Sequence, residues 1–260
     1  MDILLIRSYL AIIFAGLSCS LIGVLLVTLN VSFLGICMSH AAFLGVLVSL
    51  ILGINPFIGA LVCTSLTAGI IGPIADKSKI TPETSIGIMF SAVMGLAFIF
   101  MKFLPNSTMA TDYLWGSVLT LSNFDVLFLG ILALVICLIL TVFGRQITIV
   151  LFDRVLATSF GINAKLIFYT ILICCGLVTT ASIGSIGGLL VFSLILNPAV
   201  SAYQLTFSIK KMFILAALFG VGACVIGLSL AWWLDLPVGA TTVVTSTVLY
   251  VISLFFSVKR

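Results

Sequence analysis

Charge is what this chain is short of: only 7% of its 260 residues are Asp, Glu, Lys or Arg, against about 25% in soluble domains. So few cannot dress a water-exposed surface, and a 63% hydrophobic content is too large to hide in one core at this length. Histidine is nearly missing, with His40 the only one. Catalytic patterns are absent too. There is no phosphate-cradling Gly-x-x-x-x-Gly-Lys, no His-Glu-x-x-His, and no apolar run with two acids in reach of each other, which leaves an intramembrane hydrolase without its set of roles. The eleven Lys and Arg are scattered among short connections and form no patch, which excludes nucleic acid as a partner. The seven cysteines, Cys19, Cys37, Cys63, Cys137, Cys174, Cys175 and Cys224, fall inside apolar stretches without paired metal-ligand spacing and read mostly as small hydrophobes. The residues before Cys19 are poor for lipidation and no small-x-small pattern closes the first run, so that run is read as a retained helix.

What is present is a series of apolar runs long enough to cross a bilayer, since about 20 helical residues span the hydrocarbon core. They lie near Tyr9 to Leu29, Ser32 to Gly53, Pro56 to Ala75, Thr84 to Leu104, Phe124 to Gly144, Leu166 to Ser182, Gly187 to Tyr203, Phe213 to Leu234 and Gly239 to Val258. The pattern predicts an all-α polytopic membrane protein of eight or nine spans, surrounded by lipid, with residues 1–260 as one membrane unit. Glycines 184, 187 and 188 leave two readings open for the 166–203 region: two full spans, or a pair of half-helices. Basic residues mark the connections holding Lys77 and Lys79, Arg145, Arg154 and Lys165, and Lys210 and Lys211, together with the Lys259–Arg260 end. The positive-inside bias puts these in the cytoplasm, the C-terminus included, and with nine spans the N-terminus lies outside. Residues 105–123 read as an interfacial half-helix on the outer side. Residues 145–165 read as a short amphipathic cytoplasmic helix stopped by Gly161.

His40 sits well inside the second run, where an ionisable, metal-binding imidazole is costly and therefore a functional hypothesis. The acids instead lie near run ends, so a proton- or sodium-driven carrier would lack its usual coupling group. A pore-forming subunit powered by a separate ATPase is the simpler reading.

Four stretches then carry a family resemblance. The run from Gly35 to Gly45, Gly-Ile-Cys-Met-Ser-His-Ala-Ala-Phe-Leu-Gly, resembles the Gly-Asp-Ala-Leu-Ser-His-Ala-Val-Leu-Pro-Gly signature in permease subunits of zinc, manganese and iron ABC importers. Asp153 to Gly161 is similar to their Asp-x-x-x-Ala-x-x-x-Gly segment. The stretch from Ile186 through Gly187 and Gly188 to Asn197, Pro198 and Ala199 resembles their Gly-x-Leu-Leu-Val run ending in Pro-Ala. Asp235-Leu-Pro-Val-Gly239 resembles the Asp-x-Pro-x-Gly before their last span. The resemblance implies the permease fold shared with vitamin B12 and siderophore importers. It also implies a homodimer, a cytoplasmic ABC ATPase, an extracytoplasmic metal-binding protein and alternating access. No cofactor is bound by this chain itself; the cargo is a divalent metal.

In that family the Asp and His of the signature face the translocation path. Here His40 is kept but Ile36 stands at the Asp position, and Leu44 replaces the Pro. Losing a hard oxygen ligand favours zinc over manganese, and it leaves a chelated metal, siderophore or cobalamin-like cofactor as the alternative cargo. Cys37, three residues before His40, shares a helical face with it and is the second expected metal contact. The resemblance also maps ATPase docking onto the segment after the Pro-Ala turn, with Pro198, Ala199, Tyr203, Leu205, Phe207, Lys210 and Lys211 as the coupling residues. Apolar knobs there are held at the cytoplasmic side by the lysines. Gly187, Gly188 and Gly239 read either as close-packing sites or as breaks.

Overall fold

The computed structural model describes residues 3–78, 80–104, 116 and 121–259; most of the segment expected to form the outer half-helix lies outside the described residues. Eleven helices are described: α1 Ile3–Thr28, α2 Leu34–Leu52, α3 Pro56–Ser78, α4 Pro82–Met101, α5 Asn123–Val142, α6 Gly144–Phe152, α7 Arg154–Ser159, α8 Ala164–Ile186, α9 Gly188–Leu205, α10 Ile209–Leu234 and α11 Val238–Phe255. All except α6 and α7 are long and apolar enough to cross a membrane, nine in total among the described residues.

Short polar side chains set the helix starts. Thr81 accepts from the Thr84 amide ahead of Pro82 in α4, Ser122 and Asp125 form a reciprocal capping box on α5, and Asn163 accepts from Leu166 N to start α8. The half-helix alternative is resolved by one residue. Gly187, with φ +85°, ends α8 and opens α9, leaving 23 residues on one side and 18 on the other, each enough for a full span. The single amphipathic helix expected after α5 is two helices, because Asp153 is extended and its carboxylate accepts from Val155 N and Leu156 N at 2.7 and 3.2 Å, starting α7 afresh. Gly161, at φ +75°, follows the end of α7 as expected.

The centre of the bundle is made by α1, α2, α8 and α9, and α3, α4, α5, α10 and α11 ring it with apolar faces turned outward. Lipid tails are as apolar as leucine, so close packing rather than water exclusion holds such helices together. Two glycine pairs show how. A Cβ on Gly45 would collide with the Gly59 backbone and one on Gly59 with the Gly45 carbonyl, so α2 and α3 touch main chain to main chain; Gly16 and Gly220 do the same for α1 and α10. Many buried hydroxyls donate within their own helices, as when Ser39 donates to Gly35 O at 2.9 Å and Thr179 to Cys175 O at 3.0 Å, while Thr64 pairs with Thr180 and Ser193 with Ser246 between helices.

The helices alternate in direction, so the two ends of the bundle differ. One end gathers the α1–α2 connection, α6, the α9–α10 turn and Lys259 around a common cleft; Arg145, Lys210 and Lys211 are exposed at the same end. The opposite end holds an oxygen-lined recess of about 250 Å³ with Asn55, Asp125, Thr180 and Ser185 in its walls.

Candidate functional site

His40 lies six residues into α2, about 9 Å along the axis from its start at the basic end. It is half-buried, and its ring packs edge-on against Phe90 of α4, centroids 5.3 Å apart and planes at 64°; Phe90 in turn meets Phe33 at 5.1 Å. No hydrogen-bond partner reaches its nitrogens among the described residues. The aromatic contact steers the ring and leaves its nitrogen lone pair available to a ligand. Ile36, one turn earlier on the same face, is likewise half-buried. An alkyl group therefore stands where a carboxylate would complete a ligand pair with the imidazole.

Cys37 is placed differently from the expectation of a shared face. It is 0% exposed, inside the main apolar cluster with residues of α1, α8 and α9. The boundary between core and open face runs between residues 37 and 40, so in this conformation the thiol points into the bundle while the imidazole stands at its edge. Among the described residues no group of three or more His, Cys, Asp or Glu is arranged to hold a metal ion. One chain thus supplies a single imidazole at this face, the beginning of a weak site that needs further donors from elsewhere. Of the described carboxylates, Glu83 is exposed in the first turn of α4 and three others have local roles. Asp125 is tied into its capping box, Asp153 caps α7, and Asp235 closes α10 with φ +53°.

The residues expected to couple to an ATPase divide into three groups. Pro198 and Ala199 are buried inside α9, which continues to Leu205, so the turn expected at Pro-Ala is absent and the helix runs through it. Helix-breaking residues are tolerated inside membrane spans, where packed neighbours can take over freed backbone groups. Tyr203, Leu205 and Phe207 cluster at the end of α9 and in the three-residue turn 206–208; Phe207 is 76% exposed. Lys210 and Lys211 are exposed in the first turn of α10, where the helix dipole disfavours cations, so a positional role fits them better than a capping one. Tyr203 and Phe207 are brought together by Lys259, whose Nζ lies 3.1 Å from the Tyr203 ring centroid and 5.2 Å from that of Phe207.

These aromatics form one wall of a cleft of about 490 Å³. Its other walls are Thr28, Asn30 and Ser32, between α1 and α2, and Phe152 at the end of α6. The connection that leads directly into the His40 helix therefore shares a concave surface with the turn 206–208. Sequence reasoning missed Asn30, Phe152 and Lys259. Phe152, 77% exposed in a polar connection, carried a usable signal, whereas the other two did not.

Residues 1–257 match the model of the ABC 3 transport family. The chain is 33% identical to the manganese transport system membrane protein MntC of Listeria monocytogenes over 245 residues, covering 94% of this chain and 88% of that one. It is 31% identical to the manganese import system permease protein ScaB of Streptococcus gordonii, with the same coverage. Among solved structures, PsaBC from Streptococcus pneumoniae in complex with Fab superposes with a TM-score of 0.88 at 30% identity, over 100% of this chain and 94% of that chain.

Proposed function

This chain belongs to the ABC 3 transport family, and from that premise we propose that it passes divalent manganese across the membrane by alternating access, with His40 as the side chain that meets the ion. At the coarser level it is the membrane permease subunit of an ATP-driven divalent-metal importer, a transporter subunit and not an enzyme, with hydrolysis in a separate ATPase. An ATP-driven family sets aside the secondary-carrier alternative. The observation that carries the proposal is the placement of His40: the one histidine of the chain, in a membrane span, half-buried, with no hydrogen-bond partner among the described residues. Cys37 serves as packing behind it.

Two copies of the chain related by a two-fold axis would bring two imidazoles to one path, and weak coordination suits an ion that must leave again. The basic end faces the cytoplasm by the positive-inside bias, carrying Lys259 and the coupling turn with it. An extracytoplasmic metal-binding protein delivers the ion to the opposite end. The names of MntC and ScaB support manganese. Zinc is the second reading, favoured by Ile36, since an imidazole without a carboxylate is the softer donor set. The test is uptake of radiolabelled manganese and zinc into proteoliposomes holding the permease and its ATPase. His40→Ala should lower uptake of the preferred ion about tenfold or more, as loss of a metal contact does, and unchanged uptake would remove His40 from the path.

A further inference from the structure

A polar knot lies within the membrane between α9 and α11. Asn197 Nδ2 donates to Ser193 Oγ, Ser246 Oγ and Thr247 Oγ1 at 3.1, 2.9 and 3.1 Å, its two protons shared among three acceptors. Those hydroxyls send their own protons elsewhere. Ser246 and Thr247 both donate to Val243 O, at 2.8 and 2.9 Å, and Ser193, 2.8 Å from Ser246, donates to it in turn. Each therefore has only lone pairs to offer Asn197, which holds the amide with its NH2 on the hydroxyls and its carbonyl oxygen turned away from them. Among the described residues nothing donates to Asn197 Oδ1, and that oxygen is not sealed inside the protein. In a span, where no water of the hydrocarbon replaces a missing partner, an amide oxygen held open calls for a ligand.

Its position relates it to His40. Between residues 34 and 47 of α2 only Ile36 and His40 are less than fully buried, and they mark the open side of that helix. On α9 the open stripe is Leu189, Phe192, Leu196, Val200 and Tyr203, at every third or fourth residue, with half-buried Asn197 beside it on the α11 side. The two helices touch where Ile195 meets Gly35. Both stripes run down to one cleft, lined by Ser32 just before α2 and by Val200 and Tyr203 of α9. The helices run in opposite directions, so from the Gly35–Ile195 contact His40 lies about 7.5 Å away from the basic end and Asn197 about 3 Å toward it. An ion moving from His40 to the cleft passes the level of Asn197 about 10 Å further on.

We propose that the Asn197 amide oxygen is a second contact for the transported ion, inward of His40, and that it supplies the hard oxygen missing from the signature at Ile36. This contact rests on the importer reading given above and sharpens its cargo, because carbonyl oxygens suit manganese whereas an imidazole alone suits zinc. An amide already pinned by three hydroxyls loses little side-chain freedom when the ion arrives, and a single neutral oxygen lets it leave again.

Uptake of radiolabelled manganese and zinc by permease–ATPase proteoliposomes tests it, with each variant's abundance measured by immunoblot and uptake expressed per permease. Asn197→Leu should lower manganese uptake about tenfold and zinc uptake less than about threefold, so that the manganese to zinc ratio falls. Equal loss of both ions would mean that the amide only ties α9 to α11, and unchanged uptake of both that it serves no ion; either overturns the contact. Asn197→Asp keeps an oxygen in place, adds a negative charge, and lets the neighbouring hydroxyls turn their protons toward it. It should raise the ratio several-fold, and a ratio unmoved or lowered also overturns the contact. Should Asn197→Leu leave no protein in the membrane, Asn197→Asp decides by itself. A wild type that carries neither ion overturns the cargo reading and this contact with it. Unchanged uptake in His40→Ala removes His40 alone, since a ratio shift at Asn197 still supports its own contact.

Discussion

The half of α2 that bears His40 and the basic end of α9 and α11 are built from opposite materials. Around His40 there are glycines, alkyl groups and aromatic edges, with one imidazole among them. Around Tyr203 there are hydroxyls, amides and an ammonium resting on a ring. Apolar surfaces in a membrane hold by fit alone and can shift register at low cost, whereas polar ties hold by direction and resist shearing. A transporter needs both: a face that rearranges around a passing ion and a coupling element stiff enough to transmit force to it.

The comparison is broken most severely by filling the glycine contact that seats α2. Gly45→Leu should cost more than about 3 kcal/mol, an extreme of overpacking, and leave little protein in the membrane by immunoblot. Gly95→Leu, on the open face of α4 with nothing within 4 Å, should be present at wild-type level. Equal abundance of the two would mean that α2 is not held by fit. The next effect is at the other region. Phe207 is an exposed aromatic at the turn expected to dock the ATPase, and if it does, Phe207→Ala should weaken ATPase binding by about 2 kcal/mol, near 30-fold in Kd, measured by co-purification or titration in detergent, while ion selectivity stays unchanged. A change in the manganese to zinc ratio in that variant would blur the division between the regions. The smallest effect sharpens the ion side. Ile36→Asp restores a carboxylate one turn from His40 and should raise the manganese to zinc uptake ratio by about tenfold, with ATP hydrolysis little altered. An unmoved ratio would show that position 36 does not see the ion.

Much of the fold was legible before any coordinates. Nine apolar runs became nine spanning helices with ends displaced by a few residues, because the length of a run and the thickness of the hydrocarbon core are local facts. Motif order across the chain likewise anticipated the family. The Cys37–His40 pair shows where spacing stops informing. Three residues apart is 60° around a helix, enough for the packing of α1, α8 and α9 to bury one side chain fully and leave the other at the edge. Pro198 shows the same limit from the backbone side. In water a proline at this position would end a helix, but among packed spans α9 carries it internally and the turn that follows is only residues 206–208.

From the sequence alone it followed that this protein lives in a membrane, that it crosses eight or nine times, where its basic connections lie and that its one histidine falls within a span. Each of these follows from composition and periodicity against a slab of fixed thickness. Only the tertiary structure decided that Asn30 shares a cleft with Phe207, that Lys259 caps Tyr203, and that Asn197 ties α9 to α11. Those residues are far apart in the chain, and when the whole medium is apolar, hydropathy no longer says which helix faces which. That choice falls to shape and to the few polar groups that must find one another.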